Sequence, residues 1–479
     1  MKSFLIQYFE PALFVGTTLL VILIQRNKTN WAAVKEIWYL LLLVGMFFAF
    51  PYTNVSSATG PAEKQFSIYY HFLKFISIWD VYLLLVISIL CARNIFRGKL
   101  SLNGGHWHGI PLLFLGLSLV FLVGLLHSEF GIFSFGPTEF RRVLIAFTGP
   151  VYLILVYLIF TNSITSGQRL QSVLHFITMC LISLSLYAIL RFFFIINGTI
   201  QTMWLFSFPV IIYDRLVFFY IPVFLFFSRL INKEQNNKII FGFLAIMGLV
   251  LVLISTRRLN YILVFAGISL TLVYSKSILR VDPKQFFVQT ARVGAPVIIL
   301  LAISIFYVPD FSKNIKSVMH SFNISSQIGR RHSGDMRLAE GQNLMANMRS
   351  RPYAIFTGFG YGTMWQEVHN QPVDPLTRKI RPTSNWYSQF HLPFISVFYR
   401  FGFLFSLCFL IWLGYYMRYL HGSIKKTPVN KSYFLIAAAV FLLLLLPATL
   451  DSLNPTSWIC CGALVSLFEK TSIYNRINT

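Results

Sequence analysis

Hydrophobic residues along this chain come in long runs separated by short polar joints. Apolar runs fall near 11–25, 37–50, 70–92, 109–126, 143–160, 172–196, 216–231, 239–255, 260–275, 294–309, 392–417, 433–449 and 457–468. A helix needs about 20 apolar residues to cross a bilayer. The pattern therefore predicts an all-α polytopic membrane protein with about 12 to 13 spans. The last run is short, and its length suits a re-entrant or interfacial segment. The first run follows Met1–Lys2 without a small-residue cleavage signature, so it reads as a retained anchor. One hydrophilic interval breaks the pattern and divides the chain into 1–309 (membrane body), 310–390 (a large external loop) and 391–479 (C-terminal spans).

The 310–390 interval has two textures. Lys316 to Arg351 reads as helical, because Arg337, Glu340, Leu344 and Met348 recur at helical spacing and Pro352 stops the run. The stretch F-T-G-F-G-Y-G, Phe356 to Gly362, follows. Glycines at that spacing, Gly358 and Gly360 among them, let backbone approach a ligand or a helix closely. Pro372, Pro375 and Pro382 mark irregular chain beyond it. Such backbone is not tolerated in lipid, so the loop is expected to lie over the body, outside the membrane. The interval carries Arg330, Arg331, Arg337, Arg349, Arg351, Arg378 and Arg381, and His391 stands at its membrane edge. That combination suits the handling of anionic, lipid-linked substrates.

Composition agrees with the hydropathy. Of 479 residues, 56% are hydrophobic and 12% charged, with mean hydropathy +0.66; soluble domains carry about 25% charged residues. The net charge of +24 is scattered among apolar runs, which argues against nucleic-acid binding. It falls largely at Arg26–Lys28, Arg93–Lys99, Lys233–Lys238, Lys276–Arg292 and Arg418–Lys431, as expected of cytoplasmic loops. Setting those inside places 51–69, 128–142, 197–214, the turn at Arg257–Arg258, 310–390 and 450–456 outside. Cys91, Cys180, Cys408, Cys460 and Cys461 all lie in apolar stretches, so no disulfide framework is implied. No Cys/His spacing suits a metal.

Several segments resemble the O-antigen ligase/polymerase family of surface-polysaccharide assembly. They are S-x-x-x-R at Ser333 and Arg337, R-P-x-x-x-F-T-G-F-G-Y-G from Arg351 to Gly362, and His391 followed by Gly402 in Y-R-F-G. Upstream, I-S-T-R-R-L-N-Y-I-L-V-F (Ile254 to Phe265) is similar to the family's Ser/Arg signature. Two positions depart from the pattern. Leu392 stands where an Asn often follows the histidine, and Arg258 stands where a small residue commonly follows the first arginine. The second departure leaves open which of Arg257 and Arg258 matches the functional one.

The resemblance implies a GT-C-like, inverting, metal-independent membrane glycosyltransferase without cofactor, on the periplasmic face of a bacterial inner membrane. Its donor would be an undecaprenyl-diphosphate-linked glycan and its acceptor a glycan-lipid. A chain-length regulator is a further implied partner. The leading expectation is a polymerase joining repeat units; the close rival is a ligase moving the finished glycan onto lipid A-core.

Each candidate residue has a chemical and a plainer account. A histidine with pKa of about 6.5 suits deprotonation of the acceptor hydroxyl, which makes His391 the candidate base; an interfacial histidine also hydrogen-bonds loops. Arg257 and Arg258 sit on the external side against the positive-inside preference, and a guanidinium fork matches diphosphate oxygens; the plainer account is a snorkelling pair. Arg337 is a second diphosphate clamp or the partner of Glu340 at i,i+3. Arg142 and Arg215 are further substrate-binding candidates, although Asp214 offers Arg215 a local salt bridge. Arg330, Arg331, Arg349 and Arg351 read as solvated or headgroup-facing. Asp80, His175 and Arg191, in or near spans, read as internally paired groups. Trp365, Trp386 and Tyr387 are candidates for stacking on sugar rings.

Two other classes compete. A lipid-linked sugar flippase would line a central cavity with charge, whereas these arginines gather at one face. A peptidoglycan-type polymerase would rest on an acidic loop residue such as Asp335 rather than on His391.

Overall fold

The structure is a computed structural model. It describes residues 35–49, 78–96, 110–129, 140–196, 204–205, 208–209, 333–368, 386–387, 393–426 and 455–477, with single positions 16, 19, 273 and 288. In chain order the elements are α1 (Trp38–Ala49), α2 (Ile78–Phe96), α3 (Ile110–Glu129), α4 (Phe140–Ser163), α5 (Gly167–Ile196), β1 (Trp204–Leu205), β2 (Phe208–Pro209), α6 (Ser333–Ser350), α7 (Tyr353–Thr357), β3 (Trp365–Gln366), β4 (Trp386–Tyr387), α8 (Pro393–Lys425) and α9 (Pro455–Ile477). The strands form two-stranded antiparallel ribbons, β1 with β2 and β3 with β4. Among the described residues, three helical stretches are long and apolar enough to cross a membrane: Trp79–Phe96, Ala146–Ser163 and Ile395–Lys425. The spans expected between 216 and 309 and at 433–449 lie outside the described residues.

Among the described helices α4 packs against α1, α2, α3 and α9, and α9 runs along it in parallel. Small residues bring the two backbones together. A side chain added at Gly149 would meet the Trp458 indole at 2.3 Å, and one at Gly462 would meet the Leu153 carbonyl at 2.4 Å. Further along, Tyr157 Oη donates to Glu469 Oε2 at 2.6 Å, and Thr161 and Ser466 share a 2.9 Å bond. The helix extends beyond the apolar run at 457–468. α9 is 23 residues long, about 34 Å at 1.5 Å per residue. Hydropathy understates it because Glu469 and Lys470 interrupt the apolar run, yet both are buried against protein.

At the end of the bundle where α4 passes to α5, polar side chains tie helices together. Arg93 donates to Tyr39 Oη (3.3 Å) and to the Asn162 carbonyl (3.1 Å), and Tyr82 Oη donates to the Tyr39 carbonyl (2.7 Å). Arg169 pairs with Glu36. Toward the opposite end Asp80 accepts from Tyr152 Oη at 2.6 Å, a paired role as expected for a carboxylate within a span. All five cysteines are free thiols.

α8 has two faces. Phe401, Phe405, Phe409, Trp412 and Tyr416 form a ladder of neighbouring rings, with successive centroids 4.8, 6.3, 5.8 and 5.4 Å apart. Phe403, Leu404, Leu407, Leu410 and Ile411 form the exposed stripe. α3 runs antiparallel beside the ladder, where Gly116 leaves room for the Phe405 ring.

Candidate functional site

The candidate site is built on the junction between the glycine-rich loop and the start of α8. Gly402 interrupts α8 with φ 69° and ψ −178°. A short helical arm from Pro393 therefore ends at Phe401, leaving its last carbonyls without intrahelical partners. The loop supplies them. Phe359 N–H donates to the Tyr399 carbonyl at 3.0 Å, and Gly360 N–H to the Arg400 carbonyl at 2.9 Å. Thr363 Oγ1 returns to the Gly360 carbonyl (2.9 Å), and Tyr399 Oη donates to the Met364 carbonyl (3.1 Å).

Two glycines cross face to face at this junction. A methyl on Gly358 would meet the Arg400 carbonyl oxygen at 2.1 Å, and one on Gly402 the Gly358 nitrogen at 2.3 Å. Gly358, Gly360 and Gly362 all have positive φ (70°, 80° and 78°), which side-chain-bearing residues rarely adopt. The loop then threads between helices. Gly360 lies against the backbone of Gly124 in α3, and Gly362 against Val143 in α4. Phe359 and Tyr361 are buried, with Tyr361 edge-on to Phe401 at 5.4 Å. The loop was expected to lie over the body; Gly358 to Thr363 is instead wedged within it. The same physics explains both placements, since irregular backbone avoids lipid equally well when buried in protein.

The 333–368 region docks onto this junction. Leu344, Met348, Ala354, Phe359, Trp365 and Tyr399 form a small core of their own. Two buried asparagines of α6 hold the chain beyond the loop. Asn347 accepts from Gln366 N–H (2.7 Å) and donates to its carbonyl (2.8 Å), and Asn343 accepts from Val368 N–H (2.8 Å). α6 stops at Ser350, before Pro352, as predicted. Trp365 is part of the core, so it is not a sugar-stacking surface. It was misread because an aromatic in a polar loop looks exposed until its packing partners are known. Tyr353, beside Phe359, has its phenol pushed up by burial, with the Arg351 guanidinium opposing.

Of the predicted site residues, Gly358 and Gly360 are brought directly onto the start of α8. Arg142 immediately precedes Val143, so its backbone adjoins Gly362. Arg337 lies on α6, two turns before Leu344. The side chains of Arg142 and Arg337 are not among those described. His391 precedes α8 by two positions; His391, Arg215, Arg257 and Arg258 lie outside the described residues. Glu340, the i,i+3 position considered as a partner for Arg337, is buried. Arg349 and Arg351 are exposed, in keeping with solvated or headgroup-facing roles.

Arg400 was passed over in the sequence. It is 3% exposed, its carbonyl receives the loop, and it lies nine residues after His391. The available signal was a cation inside the first turns of an apolar run, where charge is costly.

Together these features define a helical chain with membrane-spanning segments and a loop subdomain locked onto one of them. No family model matches the chain, and no curated protein matches it.

Proposed function

We propose that this protein is a membrane glycosyltransferase that polymerises undecaprenyl-diphosphate-linked oligosaccharide repeat units at the outer face of a bacterial inner membrane. The observation that carries the reading is the glycine junction. The motif segments Arg351–Gly362 and Tyr399–Gly402, recognised separately in the sequence, bind one another through backbone hydrogen bonds. Residues of a shared site need a common rigid support, and this junction supplies one eight to eleven positions after His391 in the chain.

In this reading His391 is the general base for the acceptor hydroxyl. Arg257, Arg258 and Arg337 bind the donor diphosphate and stabilise it as it departs. The acceptor oxygen attacks the anomeric carbon, the bond to the diphosphate breaks, and configuration inverts.

The test is surface-glycan length on a gel, in a deletion strain complemented with wild type or His391→Ala. A polymerase leaves a single repeat unit on the lipid anchor when deleted. Long chains retained on the polyprenyl carrier would indicate a ligase instead. Unchanged long, anchored chains in the deletion would reject both. His391→Ala complementing at normal protein level would remove the proposed base, and undiminished diphosphate-lipid binding by the Arg257→Ala/Arg258→Ala variant would remove the clamp.

A further inference from the structure

The depth of Gly402 follows from the length of α8. The apolar stretch Ile395–Lys425 is 31 residues, about 46 Å at 1.5 Å per residue, against a hydrocarbon core of about 30 Å. It cannot all lie in lipid as one straight helix along the membrane normal. Counting back about 20 residues from Arg418, the first exposed cation of the inner arm, reaches the neighbourhood of Tyr399. Counting from Lys425 reaches the neighbourhood of Ser406. The two limits bracket Gly402, so the kink lies at the outer edge of the hydrocarbon.

α7 is pressed against that point. A methyl on Gly402 would meet the Phe356 carbonyl oxygen at 2.4 Å. Although α7 belongs to the polar interval, its Phe356 is 57% exposed and its Ile355 37%. The next residues of α8 past the kink, Phe403 and Leu404, begin the exposed apolar stripe of that helix. The exposed apolar stripe of α8 thus begins next to the point where the α7 backbone meets Gly402. Arg349 and Arg351, on the chain leading into α7, are exposed and supply positive charge beside it.

We propose that α7 is an interfacial wedge, with Ile355 and Phe356 seated among the acyl chains of the outer leaflet while Arg349 and Arg351 meet lipid phosphates. Apolar residues flanked by cations are the chemistry of segments that lie in the membrane plane. Water facing this patch would leave two large side chains exposed beside the exposed apolar stripe of α8. The wedge anchors the loop subdomain to the bilayer independently of any glycosyl transfer.

The test is the depth of a nitroxide at Phe356→Cys in the full-length protein, reconstituted in phosphatidylethanolamine/phosphatidylglycerol vesicles. Cys91 and Cys408 are replaced by serine, and the three buried thiols are left in place. Labels at Gln342→Cys, on the exposed side of α6, and at Leu407→Cys, on the exposed stripe of α8, give the aqueous and lipid references. The expected ratio of collision with oxygen to collision with a water-soluble nickel chelate at 356 is several-fold above that at 342 and approaches that at 407. A ratio equal to that at 342 overturns the wedge. So does protection from both reagents, which would mean protein covers the patch. Protection from the chelate that develops only after undecaprenyl diphosphate is added also overturns it, assigning the patch to a substrate chain instead of bulk lipid.

Discussion

Replacing Gly402 with alanine tests whether the junction holds the loop to the membrane body. The backbone at φ 69°, ψ −178° lies in a region that only glycine populates freely, at a cost of about 1–3 kcal/mol for other residues. The new methyl would sit 2.3 Å from the Gly358 nitrogen and 2.4 Å from the Phe356 oxygen. Both are backbone atoms that cannot rotate away, and overpacking of this kind costs about 1–3 kcal/mol more. The expected destabilisation is about 2–6 kcal/mol. Gly414, on the same helix, is the control, since nothing lies within 4 Å of a methyl placed there. Gly414→Ala should gain up to about 1 kcal/mol of helix propensity. The assay is thermal loss of the monodisperse chromatographic peak in one detergent, paired with limited proteolysis across 351–392. Gly402→Ala should melt well below wild type and expose the loop to protease, while Gly414→Ala melts at or above wild type. If the two variants melt together with equally resistant loops, the junction does not hold the subdomain.

Other contacts give predictions of graded size. Tyr157→Phe removes the hydroxyl bound to buried Glu469 and should cost about 1–3 kcal/mol; combining it with Glu469→Leu in a double-mutant cycle should recover part of that loss in the melting assay. Asn347→Ala leaves the Gln366 N–H without its side-chain acceptor and should cost about 2–4 kcal/mol for three lost bonds and one stranded donor, read as faster proteolysis near 366. Glu36→Gln breaks an ion pair whose carboxylate side chain is 56% exposed. It should change stability by less than about 1 kcal/mol, and by less still in high salt.

Much of the architecture is legible in the chain because spanning is a local property. A run of apolar residues is long enough to cross a bilayer or it is not, whatever lies beside it. The run at 143–160 accordingly reappears within α4, and all but the first residue of the run at 392–417 within α8. The stop of α6 before Pro352 is equally local, since proline restricts the residue before it. The glycines of F-T-G-F-G-Y-G were identifiable as positions of close approach, because their freedom is intrinsic to glycine.

What those glycines approach is a tertiary matter. Gly360 meets Gly124, and Gly358 meets Gly402; neither partner can be found by inspecting the loop. The burial of Trp365, the identity of Arg400 as a junction residue and the length of α9 were hidden for the same reason. Hydropathy measures how each residue interacts with solvent, whereas Glu469 is accommodated by a tyrosine 312 positions earlier in the chain. Sequence alone thus marked which segments are apolar enough to leave water. The tertiary structure decided which polar and irregular segments go with them, because a buried hydrogen-bond partner removes a cost that no local window can see.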